Sequence, residues 1–262
     1  MNRIDLRFKE LKNMQKKAFI AFITAGYPNL DATEDLVLEF SRVGVDIIEL
    51  GMPFSDPIAD GPIIQEASQI ALKNKINLDS IFGLVRKLRR TVDIPICVMS
   101  YYNPVFCFGE GRFLRKAKDA GIDGVIIPDL PAEESLNLKR QADKLCLDTI
   151  FFLSPTSSLE RIKFISGLSR GFIYYVSLTG VTGMRQRLPD GLLHHIREIK
   201  RCTAKPICVG FGISGPAQVK QIYRVADGVI VGSAIIQKIK ENTDRPDMPK
   251  RVANFVLSLK DG

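Results

Sequence analysis

The sequence predicts a (β/α)8 TIM barrel with an extra N-terminal helix and an inserted loop and helix after the second strand. Two observations carry this. Eight short apolar runs recur along the 262 residues, and the segments between them have the 3.6-residue periodicity of amphipathic helices. The runs are continuous and rich in Ile, Val and Phe instead of alternating with polar residues, as strands covered on both faces are. Strand and helix repeated to eight is the pattern of parallel βα units that close on themselves. An open doubly wound sheet is the competing arrangement, and the eight spaced strands favour closure.

The elements follow in order. Residues 2–13 (NRIDLRFKELKN) form an amphipathic helix ahead of the first strand, placed to cover the barrel bottom. AFIAFIT (18–24) is the first strand, TEDLVLEFSRVG (33–44) its helix and DIIEL (46–50) the second strand. Residues 51–79 exceed the bare repeat with a loop and the helix PIIQEASQIALKN, and insertions after strands are where barrels place function. INLDSIFGLVRKLRR then leads to PICVMS (95–100), GRFLRKAKDAG to GVIIP (124–128), and AEESLNLKRQADKL to TIFFL (149–153). SLERIKFISGLS precedes FIYYVS (172–177), after which come PICVGFG (206–212), GPAQVKQIYRVA and GVIVGS (228–233). In RVGVDIIEL and DAGIDGVII a helix ends in glycine, which takes the left-handed cap, and an acidic residue opens the next strand. No Gly/Ser-rich linker divides the chain, so residues 1–262 read as one barrel domain.

Composition narrows the function. Apolar residues make up 45% and charged residues 25%, an ordinary globular balance. No apolar run approaches the roughly 20 residues that cross a bilayer, and the N-terminus lacks a signal-peptide core, so membrane attachment is not expected and a cytoplasmic protein is. Five cysteines, odd in number and without a C-x-x-C pair, indicate neither a disulfide framework nor a zinc site, and no metal site is expected. The net charge of +8 is scattered among acids without a basic arm or stacking aromatics, which argues against nucleic acid.

Two groups of residues point to chemistry. SLTGVTG, VGFGIS and VGSAI carry glycines at the ends of successive late strands, where backbone N–H groups and a following helix N-terminus hold phosphate. Barrels recurrently use the loops after strands seven and eight for this, which marks Gly212, Gly232 and Ser233, with Gly183 from the preceding loop. The bland alternative is that Gly210 and Gly212 only make room for packing. The second group is ELGMPFSDPIADGP (49–62). Glu49 closes a strand where a barrel points side chains into its mouth, and a carboxylate stripped of water there has a raised pKa suited to proton transfer. Its structural alternative is pairing with a buried donor such as a tyrosine hydroxyl. Asp56 before Pro57 reads as an Asx-turn carboxylate, and Asp60 before Gly61-Pro62 as a helix N-cap.

The stretch ELGMPFSDPIADGPIIQ closely resembles the signature of the tryptophan synthase α chain family. FITAGYP, MSYYNPV, GVIIPDLP, LSPTS, VSLTGVTG, GFGIS and ADGVIVGSAI look like that family's blocks in order, so the resemblance spans nearly the whole chain. It implies reversible retro-aldol cleavage of indole-3-glycerol phosphate to indole and glyceraldehyde 3-phosphate. By motif position Glu49 would be acid and base at indole C3 and the glycerol hydroxyl, and Asp60 would polarise the indole N–H. Tyr175 and Thr182 would position substrate, and Phe22, Tyr102, Ile127, Asp129, Leu153 and Phe211 would line an indole pocket. Ser100 and Ile70 depart from the family's usual residues, neither at a presumed catalytic position.

The resemblance also implies a β chain partner in an α2β2 tetramer, with Asp56, Pro57, Tyr102, Asn103 and Pro104 as contact candidates and Gly180 to Leu188 as a lid. No cofactor is expected in this chain; pyridoxal phosphate belongs to the β partner, which would receive indole through a tunnel. Two rivals remain: another phosphate-binding barrel lyase or isomerase, and a non-catalytic α-like chain that only activates a β partner. The first would not need the FSDPIADGP loop, and the second would have lost Glu49 or Asp60.

Overall fold

A computed structural model describes residues 2–176, 191–210 and 212–261, with the backbone alone for Asp261. Helix α1 (Arg3–Asn13) comes first, followed by β1 (Ala18–Thr24), α2 (Leu30–Arg42) and β2 (Ile47–Gly51). The insertion supplies α3 (Pro62–Lys73) before α4 (Leu78–Leu88) and β3 (Ile96–Met99). Next are α5 (Tyr102–Phe108), α6 (Glu110–Ala120), β4 (Gly124–Ile126), α7 (Leu136–Lys144), β5 (Asp148–Ile150) and β6 (Phe152–Leu153). The last part runs through α8 (Leu159–Leu168), β7 (Ile173–Val176), α9 (Leu192–Cys202), β8 (Ile207–Gly210) and α10 (Pro216–Tyr223). It ends with β9 (Gly228–Val231), α11 (Ser233–Lys240) and α12 (Met248–Asp261).

All strand pairs are parallel, and the sheet order is β5-β4-β3-β2-β1-β9-β8-β7-β6. The two ends of that order, β5 and β6, are halves of one strand separated by Phe151 alone, whose carbonyl accepts from the Tyr174 N–H. The first half bonds β4 and the second bonds β7, so this strand hands its hydrogen bonds from one neighbour to the other and closes the ring. Eight runs in the sequence thus become eight barrel strands, one of them interrupted. Helices α5, α9, α11 and α12 are additions to the predicted set.

The bottom is sealed by α1, as expected. Asn2 and Asp5 form a capping box at its start, and Ile4 is fully buried beneath the barrel. A Cβ on Gly124 would stand 3.0 Å from Ile4 Cδ1, so the plug reaches that strand only because glycine is there. Phe8 meets Phe172 at 5.9 Å between ring centroids.

Glycines 44 and 121 take positive φ at the helix ends, as their sequence pattern predicts. An aspartate just ahead of a strand is a clasp used three times. Asp46 accepts from the Phe19 N–H at 2.7 Å, Asp123 from Ile96 at 2.9 Å and Asp227 from Ile207 at 2.9 Å, each tying the start of its own strand to the preceding neighbour. Each aspartate also holds a cation: Arg7 on Asp46, Arg89 on Asp123 and Lys200 on Asp227.

Candidate active site

Inside the barrel, side chains alternate by twos from the register of the strands. Phe22, Glu49, Cys97 and Gly124 are aligned across β1 to β4. One step toward the mouth lie Thr24, Gly51, Met99, Ile126 and Ile150. Gly51 leaves space for the Phe22 ring, which would lie 2.6 Å from a Cβ there, and this fixes the face as the interior.

Glu49 is 0% exposed, and neither carboxylate oxygen has a hydrogen-bond partner among the described residues. Burial first, and the charge of Asp60 second, push its pKa up to about 8. The alternative of a paired structural glutamate is thereby set aside for the described neighbourhood. A buried carboxyl without partners costs stability. Across the interior, the Tyr174 hydroxyl is held well above its ordinary pKa by burial and by the charges of Glu49 and Asp60.

The loop after β2 delivers Asp60. Phe54 stacks on Tyr101 with ring centroids 5.2 Å apart. The Tyr101 hydroxyl accepts from the Ala59 N–H at 2.9 Å and donates to the Asp60 carboxylate. Burial raises the Asp60 pKa to about 6, and the Tyr101 hydrogen bond pulls the other way. Gly61, not Asp60, is the N-cap of α3, with Pro62 in the first turn, so the aspartate is free of that structural duty. Asp56 is exposed and its carboxylate accepts from Ser55 at 2.5 Å, while the Ile58 N–H bonds the Asp56 backbone carbonyl. The expected side-chain turn is therefore made by backbone instead.

On the opposite rim, Gly232 caps α11 and abuts the mouth, since a Cβ there would stand 3.1 Å from Phe22 Cδ1. Gly212 has φ +75°, a left-handed conformation that suits glycine. The first N–H groups of α11, beginning at Ser233, have no intrahelical acceptor and open beside Phe22.

The sequence profile described as "Tryptophan synthase alpha chain" matches residues 8–261. The chain belongs to the tryptophan synthase alpha chain family. A tryptophan synthase alpha chain of Caldanaerobacter subterraneus subsp. tengcongensis is 48% identical over 261 residues, covering 100% of this chain and 99% of the relative. A crystal structure of the alpha chain from Legionella pneumophila superposes with a TM-score of 0.92 at 37% identity, covering 100% of this chain and 97% of that one. The α2β2 complex from Pyrococcus furiosus contains a chain with a TM-score of 0.86 at 37% identity, covering 92% of this chain and 97% of that one. Membership makes this chain a lyase subunit of tryptophan biosynthesis, responsible for the indole-3-glycerol phosphate half-reaction.

Four positions assigned by resemblance to tryptophan synthase alpha chains fall one residue away from the interior. Tyr175 points outward, where its hydroxyl shares a hydrogen bond with His195 Nδ1 at 2.8 Å; Tyr174 is the tyrosine that faces Glu49. Leu153 is in register with Tyr175, whereas Phe152 meets Tyr174 with centroids 4.8 Å apart. Ile127 packs with Val125 and Leu138 under α7, and Ile126 is the residue in register with Met99 inside. Tyr102 turns its hydroxyl to Glu110 at 3.0 Å, and Tyr101 takes the mouth. The reason is common to all four: neighbouring residues at a strand end face opposite ways, so an offset of one exchanges inside for outside. Asp129 is likewise a structural acceptor, taking the Tyr102 N–H at 2.8 Å at the start of α5. Phe22 is interior as expected, and Thr182, Gly183 and Phe211, with the predicted lid at Gly180 to Leu188, lie outside the described residues.

Proposed function

We propose that Glu49 and Asp60 carry out the retro-aldol cleavage of indole-3-glycerol phosphate from opposite ends of the indole ring. The observation that supports this best is the fully buried, unbonded Glu49 carboxyl facing the same interior as an Asp60 oriented by Tyr101. With a pKa near 8, Glu49 is predominantly protonated at neutral pH and donates to indole C3. The ring then carries positive charge at nitrogen, and ionised Asp60 stabilises it by accepting the N–H hydrogen bond. The Glu49 carboxylate formed in the first step takes the proton of the glycerol hydroxyl, the bond from indole C3 to the glycerol carbon breaks, and its electron pair restores the aromatic ring. Indole and glyceraldehyde 3-phosphate result, with Glu49 protonated again.

Phe22, Phe152 and Ile126 give the flat apolar walls that an indole ring needs, and Tyr174 stands by the glycerol chain. Gly212, Gly232 and Ser233 hold the phosphate with backbone N–H groups and the positive end of α11. The rim that carries Asp60 also exposes Asp56, Asn103, Ile58 (82% exposed) and Phe106 (64% exposed), with Pro57 and Pro104 between them. This is the face for a β chain containing pyridoxal phosphate, to which indole passes. The apolar side chains there are those that a partner would cover. Glu49→Gln removes the acid while keeping shape. Indole release from indole-3-glycerol phosphate should fall by about 10² or more with the far-UV circular dichroism unchanged. Turnover near that of the parent chain would sink the assignment.

A further inference from the structure

On the underside of the barrel, away from the mouth, a cleft of about 480 Å³ opens between the end of α1, the start of β1 and the end of α9. That volume falls in the range of small-molecule sites. Lys12, Lys16 and Lys17 from one end of the chain and Lys200 from α9 line it together, against the single carboxylate of Asp227. Asp227 is already committed: it accepts from the Ile207 N–H at 2.9 Å, holds Lys200 at 2.6 Å and reaches Lys17 at 3.9 Å. Lys12 and Lys16 pair with no carboxylate among the described residues, so the cleft carries an excess of positive charge that the fold does not neutralise internally. Its floor is apolar, built on Phe8 and Leu11 of α1 and on Pro206. Lysines in the last turn of α1 and α9 also suit the negative ends of those helices, yet that role does not require them to converge on one cleft.

We propose that this underside cleft binds an organic polyphosphate, its charges met by Lys12 and Lys16 and its apolar body resting on the floor. Ammonium groups brought from distant parts of the sequence to one concave surface concentrate a field that multiply charged anions seek. The proposal is independent of the reaction in the mouth. ATP free of metal is the probe, titrated calorimetrically into the full chain at low salt, with the mouth saturated by glycerol 3-phosphate. One saturable site with affinity of about 1 mM or tighter is expected. Lys12→Glu/Lys16→Glu should weaken it by about tenfold or more, the scale of one lost charged hydrogen bond, while indole release is unchanged. Lys12→Gln/Lys16→Gln should fall between. Absence of saturable heat, heat indifferent to the double charge reversal, or heat abolished by glycerol 3-phosphate would each overturn the proposal.

Discussion

Adjacent tyrosines on β7 divide two tasks that look interchangeable in the sequence. Tyr174 faces Cys208, Glu49 and the narrow space left by Gly210, where a Cβ would stand 2.6 Å from its ring. Tyr175 anchors the outer surface of the strand to α9 through His195. The same conservative change should therefore separate the two roles. Tyr174→Phe removes a hydroxyl beside the reacting carboxyl and should lower kcat/KM for indole-3-glycerol phosphate by about tenfold or more. Tyr175→Phe removes one partly buried hydrogen bond and should cost about 1 kcal/mol in urea denaturation while leaving kcat close to the parent value. An opposite pattern, with catalysis lost only in Tyr175→Phe, would return the substrate-facing role to Tyr175.

Elements were legible where a physical periodicity ran through them, and the site was legible where a motif fixed its register. Continuous apolar runs announced the strands because both of their faces are buried, and Gly-x-Asp junctions announced the helix ends. ELGMPFSDPIADGP singled out Glu49 and Asp60, and the structure brings both to the same interior, because Glu49 lies within a regular strand of known direction. Beyond β2 the blocks were recognised but not their facing, since a motif names a stretch and alternation decides the side. Counting by twos from Cys97 through Met99 reaches Tyr101, a signal present in MSYYNPV; FIYYVS offers no such internal anchor. The aspartate clasp shows how an element's start is held in place. Asp123 joins the Ile96 N–H to Arg89, whose side chain is itself 10% exposed. Asp123→Ala leaves a buried guanidinium and a strand N–H without that acceptor and should cost about 3–5 kcal/mol in chemical denaturation. A loss below about 1 kcal/mol, the worth of an exposed pair, would show that the clasp is not a stability element.

At the scale of the whole molecule, barrel closure creates the dry interior that raises the pKa values of Glu49 and Asp60, and pH should report it in activity and stability together. The proposed mechanism requires Asp60 ionised and Glu49 protonated, so kcat/KM should rise through about pH 6 and fall through about pH 8. A profile flat across that interval would mean that at least one carboxyl does not act in the required protonation state. The stability consequence has a definite sign. Unfolded Glu49 titrates near 4.5 and folded Glu49 near 8, so between these values the folded chain binds the extra proton. Stability from this group is fully present below about pH 4.5 and is lost as pH rises through 8. Glutamine cannot ionise, so Glu49→Gln should be more stable than the parent at pH 8.5, and the gap in denaturation midpoint should close as the pH is lowered toward 4.5. A gap that stays constant with pH would mean that the glutamate reaches water in the folded state, and its role as the buried acid would fall with it.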